Sequence, residues 1–232
     1  MRTITTGRPL DGTGEPTDGP ALELDPRGEA AELFRESPHA LASSPGTGMW
    51  SAILEGTEAD STTDPALLVW LAPDATELPP HVHTADSERF RTLRGELTVV
   101  EEGGTNRLGP DEEHTVEPGR EHYFRNDTGG FVAFHVELPW RKTLETQFTS
   151  FGLDHEGAFG GSDAYGEPGF VYGVVAGEYL REGTTVAVAP RPVQRLLWAT
   201  VGRIARVAGY RAVDERYLRD GFWERTVEQP EL

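Results

Sequence analysis

Three histidines and a glutamate stand close enough along the chain to hold a metal: His81 and His83 around Val82, Glu88 five residues on, and His122 on a later segment. Separated by two, His81 and His83 leave the same face of an extended strand. Thr84-Ala85-Asp86-Ser87 is polar and turn-forming, so the chain can double back and lay Glu88 alongside. Three imidazole nitrogens and one carboxylate, with solvent completing the shell, suit Fe, Mn, Ni, Cu or Zn, and do not suit Mg or Ca. The expected cofactor is therefore a divalent transition metal, with no choice among these five. A His-x-His pair by itself often only lines a polar face, so the weight lies on all four residues together. No cysteine is present, which excludes disulfides, thiolate zinc sites and cysteine nucleophiles.

The elements that must position these residues read as short strands. Met49 to Leu54 and Ala66 to Leu71 are apolar runs on either side of a polar connection, Thr57 to Asp64. Phe90 to Leu93, Leu97 to Val100, His122 to Phe124 and Phe131 to Leu138 follow, punctuated by Arg94-Gly95, Gly103-Gly104, Glu117-Pro118-Gly119 and Asn126 to Gly130. Strands at this spacing predict a sandwich or barrel. Beyond Pro139 the period becomes helical: Leu144, Phe148 and Phe151, then Phe170, Val174 and Val175. From Pro192 a cleaner helix carries one stripe, Val193, Leu196, Leu197, Thr200, Val201, Ile204, Val207 and Ala208, with Gly209 as its cap. Residues 1–20, rich in Gly, Pro, Thr and Asp, read as a flexible arm.

The pattern His81-x-His83-x4-Glu88-x6-Gly95, then Pro118-Gly119-x2-His122-x3-Asn126, resembles both signature regions of the cupin superfamily in order and separation. The resemblance spans about residues 48 to 138. It implies a mainly β fold, a cupin-type antiparallel jelly-roll barrel with a metal inside one end, here with a C-terminal helical extension. By that resemblance His81, His83, Glu88 and His122 each fall on a metal-ligand position. Where the family usually has glycine, this chain has Asp111. The expected organisation is a flexible arm at 1–20, the barrel with its lead-in strands at 21–140, and a helical extension at 141–232. Pro192-Val193-Gln194-Arg195 and Gly209-Tyr210-Arg211 are also similar to the tails of a group of bacterial and archaeal cupin proteins.

Around the metal, Glu88, Phe90 and Thr92 alternate onto one face, as do His122 and Phe124, so Phe90 and Phe124 are expected to wall a substrate cavity. Ordinary core packing is the plainer account of both rings. His135 and Glu137 lie opposite Val132, Phe134, Val136 and Leu138. If that apolar set packs on the helices, His135 points into the barrel towards a substrate. His39, His114 and His155 lie in polar surroundings and are expected to face solvent, and Asn126 to fix a turn.

With 39 acidic against 21 basic residues, the formal net charge is −18, and Lys142 is the only lysine. Such a surface repels nucleic acid, leaving a small molecule as the expected partner, and resembles that of proteins from salt-accumulating halophiles. No apolar run approaches the roughly 18 residues of a membrane span, and the amino terminus lacks an apolar signal core. A soluble, cytoplasmic protein is expected. Arg191, Arg195, Arg203, Arg206 and Arg211 make the last helix the one locally basic patch. Packing of that helix on the barrel or on a second subunit, as in a homodimer, is favoured over a membrane-surface role.

Two functions fit these residues. One is a metal-dependent, dioxygenase-like enzyme acting on a small organic substrate, with Glu88 as ligand and catalytic base. The alternative is a non-catalytic small-molecule or metal-binding module. A sugar isomerase or epimerase is a third possibility, although those usually lack the full set of ligands.

Overall fold

Residues Glu88 to Thr92 alternate between inward and outward positions, as a strand with one face on a core must. The computed structural model describes residues 3–56, 65–161 and 164–232, so the polar connection expected at Thr57 to Asp64 lies outside the described residues. Two antiparallel sheets face each other. In chain order the first contains β3 (Ala42–Ser44), β4 (Met49–Glu55), β5 (Ala66–Leu71), β7 (Glu88–Arg94), β10 (Glu113–Val116) and β12 (Val132–Glu137), paired as β10-β7-β12-β5-β4-β3. The second contains β6 (His81–His83), β8 (Leu97–Glu101), β9 (Gly104–Leu108), β11 (Glu121–Arg125) and β13 (Thr184–Val186), paired as β13-β6-β11-β8-β9. A small pair, β1 (Ile4–Thr6) and β2 (Leu22–Leu24), stands apart.

The inner faces meet through apolar side chains from both sheets, including Leu97 and Val99 of one and Phe90, Phe134 and Val136 of the other. Gly95, with φ of 80°, makes the tight turn between β7 and β8, and a Cβ there would lie 2.9 Å from the Phe131 carbonyl oxygen. Asp111 also takes a left-handed conformation, φ 66°, which accounts for the resembling family's glycine at that position. Asn126 fixes its turn as expected: its amide donates to the carbonyls of Ala72 at 2.9 Å and Gly130 at 2.8 Å, and its oxygen accepts from the Thr128 N–H at 2.8 Å.

The helices are α1 (Glu29–Glu36), α2 (Arg141–His155), α3 (Phe170–Leu180), α4 (Arg191–Leu197), α5 (Arg203–Val207) and α6 (Asp220–Trp223). A π turn over Trp198–Gly202 joins α4 to α5, and a 3₁₀ turn covers Glu215–Leu218. On α2, Leu144, Phe148 and Phe151 are buried with Tyr217 and Trp223 in the main core. Gly152 lets Tyr217 approach, since a Cβ there would run into the tyrosine ring.

Three expectations are corrected. Residues 3–20 do not form a loose arm: Trp50 Nε1 donates to the Gly7 carbonyl at 2.8 Å, the Leu10 N–H to Thr226 at 2.8 Å, and Arg8 pairs with Glu228 at 2.8 Å. The partners come from the far end of the chain, which composition read locally does not reveal. The second correction concerns the apolar stripe of the last helix. Val193, Leu196, Ile204 and Val207 face solvent, and Gln194, Gly202 and Ala205 face the protein instead. Third, the extension at 141–232 is not wholly helical, because its β13 pairs with β6 at the edge of the second sheet.

Candidate metal centre

In β6 the parity of a strand sends His81 and His83 inward and Val82 outward. The neighbouring β11 places His122 directly opposite His81, so both rings share the inner face. Glu88 arrives from the other sheet, at the first position of β7, where it pairs with Val116 of β10. A metal bound here would bridge the two sheets.

Glu88 Oε2 lies 2.7 Å from His122 Nε2, 3.4 Å from His83 Nε2 and 4.0 Å from His81 Nε2. One ligand atom from each of the four residues falls within 4.8 Å of all the others. The ring centroids of His81 and His122 are 4.4 Å apart. Glu88 and His122 are 3% and 1% exposed, so the polar centre sits in the core.

Each histidine is held by its outer nitrogen. His81 Nδ1 donates to the Pro79 carbonyl at 3.1 Å and His122 Nδ1 to the Arg120 carbonyl at 3.1 Å, while His83 Nδ1 bonds Thr184 Oγ1 at 2.8 Å. A carbonyl can only accept, so two of the tautomers follow, and all three Nε2 atoms face inward. His83 Nε2 is buried without a hydrogen-bond partner, because its 3.4 Å contact to Glu88 lacks hydrogen-bond geometry. A buried ring nitrogen without a partner, aimed at a carboxylate and two other imidazoles, fits a metal ion. The N3O donor set suits a divalent transition metal.

The electrostatics agree. Burial works to raise the Glu88 pKa, but hydrogen bonding to His122 and the charges of His83 and His81 overcome it and bring it down to about 2. Burial pulls His81 down to about 4 despite the nearby Glu88 carboxylate. For His122 burial again opposes the charge, yet the Glu88 hydrogen bond wins and the pKa rises. The group therefore holds the Glu88 anion, a His81 ring that burial keeps from charging, and a proton shared between His122 Nε2 and Glu88 that a metal would replace.

Phe90 and Phe124 lie under the ligands, two residues along their strands. Their centroids are 5.6 Å apart, and both contact Phe134. They form a buried apolar floor. His135 does not join them. Phe134 and Val136 pair with Thr92 and Phe90 and take the inward positions, so His135 lies on the outer face of the first sheet, beside Arg91. There it lines an open groove with Leu33, Glu55, Arg89 and Glu137, and burial lowers its pKa. The apolar side of β12 packs between the sheets and not on the helices, which reverses the expected direction of His135.

The histidines expected to face solvent are also placed otherwise. His155 is largely buried against Trp223 and Tyr165, shares a hydrogen bond with Ser43 Oγ at 2.9 Å, and has its pKa lowered by burial to about 4. His39 contacts the Asp220 carboxylate at 3.2 Å. His114 pairs with Phe90 across β10 and β7 and thus takes the inner face, where it bonds Glu101. Glu101 is in turn the ladder partner of His122 and accepts from Asn106 Nδ2 at 3.0 Å. Glu101, Asn106 and His114 make a half-buried polar group beside the candidate ligands. Its only sequence signal was parity: His114 stands two residues before the buried Val116. Thr184 gave no signal, since it lies more than a hundred residues away from the ligands' strand in the chain.

Residues 67–136 match the family model described as "Cupin domain". Among proteins of curated function, none matches the sequence. Solved structures show partial likeness to this chain. A sugar phosphate isomerase of the cupin superfamily from Silicibacter pomeroyi is 24% identical over 42% of this chain and 67% of its own, with a TM-score of 0.35. The polyketide cyclase RemF from Streptomyces resistomycificus is 21% identical over 43% of this chain and 72% of its own, with a TM-score of 0.37. KdgF from Halomonas sp. is 18% identical over 44% of this chain and 89% of its own, also with a TM-score of 0.37. Likenesses of this size assign no substrate or reaction.

Proposed function

With residues 67–136 a cupin domain, we propose that this protein is a metal-dependent enzyme, dioxygenase-like in chemistry, that acts on a small organic substrate. The observation that carries the proposal is the convergence of three histidine Nε2 atoms and Glu88 Oε2 from facing sheets, all within 4.8 Å. A divalent metal held there supplies Lewis acidity and an exchangeable coordination position.

The chain's own residues supply the rest. Pro79, Arg120 and Thr184 fix the orientation of the three imidazoles through their Nδ1 atoms. Glu88 has two roles: ligand and, through its carboxylate, acceptor of a substrate proton. The floor of Phe90, Phe124 and Phe134 keeps water from the inner side. Glu101, Asn106 and His114 offer donors and acceptors that orient the polar end of a substrate beside His122.

The test is to load apoprotein anaerobically with Fe(II), Mn(II), Ni(II) or Cu(II), and follow oxygen uptake with phenols, flavonols and diketones. Elemental analysis should give close to one metal per chain, and His81→Ala/His83→Ala should lose it. Glu88→Gln should cost far more in turnover than in substrate affinity. If a metal-loaded protein consumes no oxygen with any of these substrates but retains a small molecule through purification, the binding module replaces the enzyme.

A further inference from the structure

The helix from Arg191 to Val207 turns its larger apolar side chains outward. Val193, Leu196, Thr200, Ile204 and Val207 recur at intervals of three and four and form one solvent-facing stripe. Leu196 is 63% exposed, Ile204 71% and Val207 87%. The inner face carries Gln194, whose amide donates to the carbonyls of Val186 at 2.8 Å and Ala189 at 2.6 Å, then Gly202 and Ala205. Small residues let this helix approach Val174 and Val175 of α3, and an Arg206–Glu178 ion pair fixes its rotation. The large side chains are left outside because the close contact has no room for them.

Charge marks the same segment. Residues 184–213 hold five arginines and no acidic residue, in a chain whose net charge is −18. Arg191, Arg195, Arg203 and Arg211 form no ion pair among the described residues, whereas most arginines on the sheets do. Outside residues 170–210, the large exposed apolar side chain among the described residues is Leu232.

These facts restrict what can cover the stripe. A second copy docking stripe on stripe would bring two rows of arginines together. The stripe, about 25 Å long and about 10 Å wide, covers roughly 250 Å² against the roughly 800 Å² per partner of a stable interface. A second copy offering its acidic body would set leucine and isoleucine against carboxylates. The matching surface is apolar within and anionic at its boundary. No helix is long and apolar enough to cross a membrane among the described residues, so an in-plane arrangement is the one that fits.

We propose that the 193–207 stripe docks on an anionic lipid bilayer, lying in the plane of the interface. Leu196, Ile204 and Val207 enter the boundary between headgroups and acyl chains, and Arg191, Arg195 and Arg203 meet lipid phosphates.

The test is co-sedimentation of the full-length, metal-loaded protein with vesicles of equal parts phosphatidylglycerol and phosphatidylcholine, and with vesicles of phosphatidylcholine alone. Binding to the anionic vesicles is expected, and at least about tenfold weaker binding to the neutral ones. Leu196→Glu/Ile204→Glu should weaken binding by about tenfold or more, since two exposed side chains lose their apolar burial. Both positions are solvent-facing, so its metal content and melting temperature should match the parent and serve as the fold control. Arg195→Gln/Arg203→Gln, which leaves the apolar stripe intact, should weaken binding to the anionic vesicles alone and keeps the test available if the first variant misfolds. The proposal is overturned if the parent ignores anionic vesicles, or if Leu196→Glu/Ile204→Glu binds them equally well. It is also overturned if sedimentation equilibrium finds a parent dimer that this variant dissolves, because a second copy then covers the stripe.

Discussion

Replacing Glu88 by glutamine tests the electrostatic account of the metal centre without a metal being present. In the folded apoprotein the pKa of Glu88 is about 2, against a normal value of 4.5. A folded-state pKa depressed in this way means stability that is present above the unfolded value and lost as pH falls through the folded one. The difference amounts to about 3 kcal/mol at pH 7. The glutamine amide can still hydrogen-bond His122, which returns about 1 kcal/mol. Glu88→Gln apoprotein should therefore be about 2–3 kcal/mol less stable at pH 7, a fall in Tm of roughly 5–10 °C for a chain of this size. At pH 4 the unfolded glutamate is mostly protonated, so the Glu88 share of the gap should be about 1 kcal/mol smaller, while the share from His122, whose pKa Glu88 raises, is present at low pH and lost as pH rises. His155, held near 4, destabilises both proteins alike as pH falls from 6.5 and so does not confuse the comparison. Urea unfolding followed by circular dichroism in the presence of a chelator measures both gaps. Equal stability at pH 7 would refute the reasoning.

Four further outcomes are expected. Thr184→Val removes the hydroxyl on His83 Nδ1 and should weaken metal binding about 10- to 100-fold in a chelator competition; an unchanged affinity would deny Thr184 that part. Asp154→Ala strips the buried acceptor of Ser44 Oγ, the Gly46 N–H and the Gly166 N–H, all at 2.8–2.9 Å. It should cost about 3–5 kcal/mol in urea unfolding, and a loss below 1 kcal/mol would show that water replaces the carboxylate. Gly152→Ala drives a methyl into the Tyr217 ring and should cost about 1–3 kcal/mol, visible as a lower urea midpoint. With a net charge of −18, the Tm should rise as KCl increases from low to molar concentration, and a flat response would remove the halophile expectation.

The clustering of His81, His83, Glu88 and His122 was legible because strand parity is strict. Once His81 and His83 lie on a strand, they share a face whatever surrounds them. Phe90 and Phe124 follow by the same rule from Glu88 and His122. Parity alone does not say which face is inside, and that is where His135 went wrong. β12 has apolar Phe134 and Val136 on one side and His135 and Glu137 on the other, and either side could meet a layer of protein. Only the pairing of Phe134 with Thr92 and of Val136 with Phe90 decides it. The last helix failed for a different reason. Hydrophobic periodicity finds the face with large apolar residues, whereas close helix packing selected Gly202 and Ala205. Long-range partners left no local trace: Gly7 with Glu228 and His83 with Thr184 are each joined by one or two hydrogen bonds across most of a domain's length of chain.

The edge strand β13 has a consequence for how the protein is made. The barrel sequence is complete at Glu137, yet His83 gains its Nδ1 partner and β6 its outer neighbour only from Thr184 to Val186. During synthesis from the amino terminus, all four candidate ligands emerge while β6 is still a bare edge. Almost fifty more residues must follow, and α2 and α3 must form between them, before β13 can close that edge. The candidate metal site is therefore finished only after β13 has been made, and a nascent chain halted before residue 184 would present its histidine pair on an open strand.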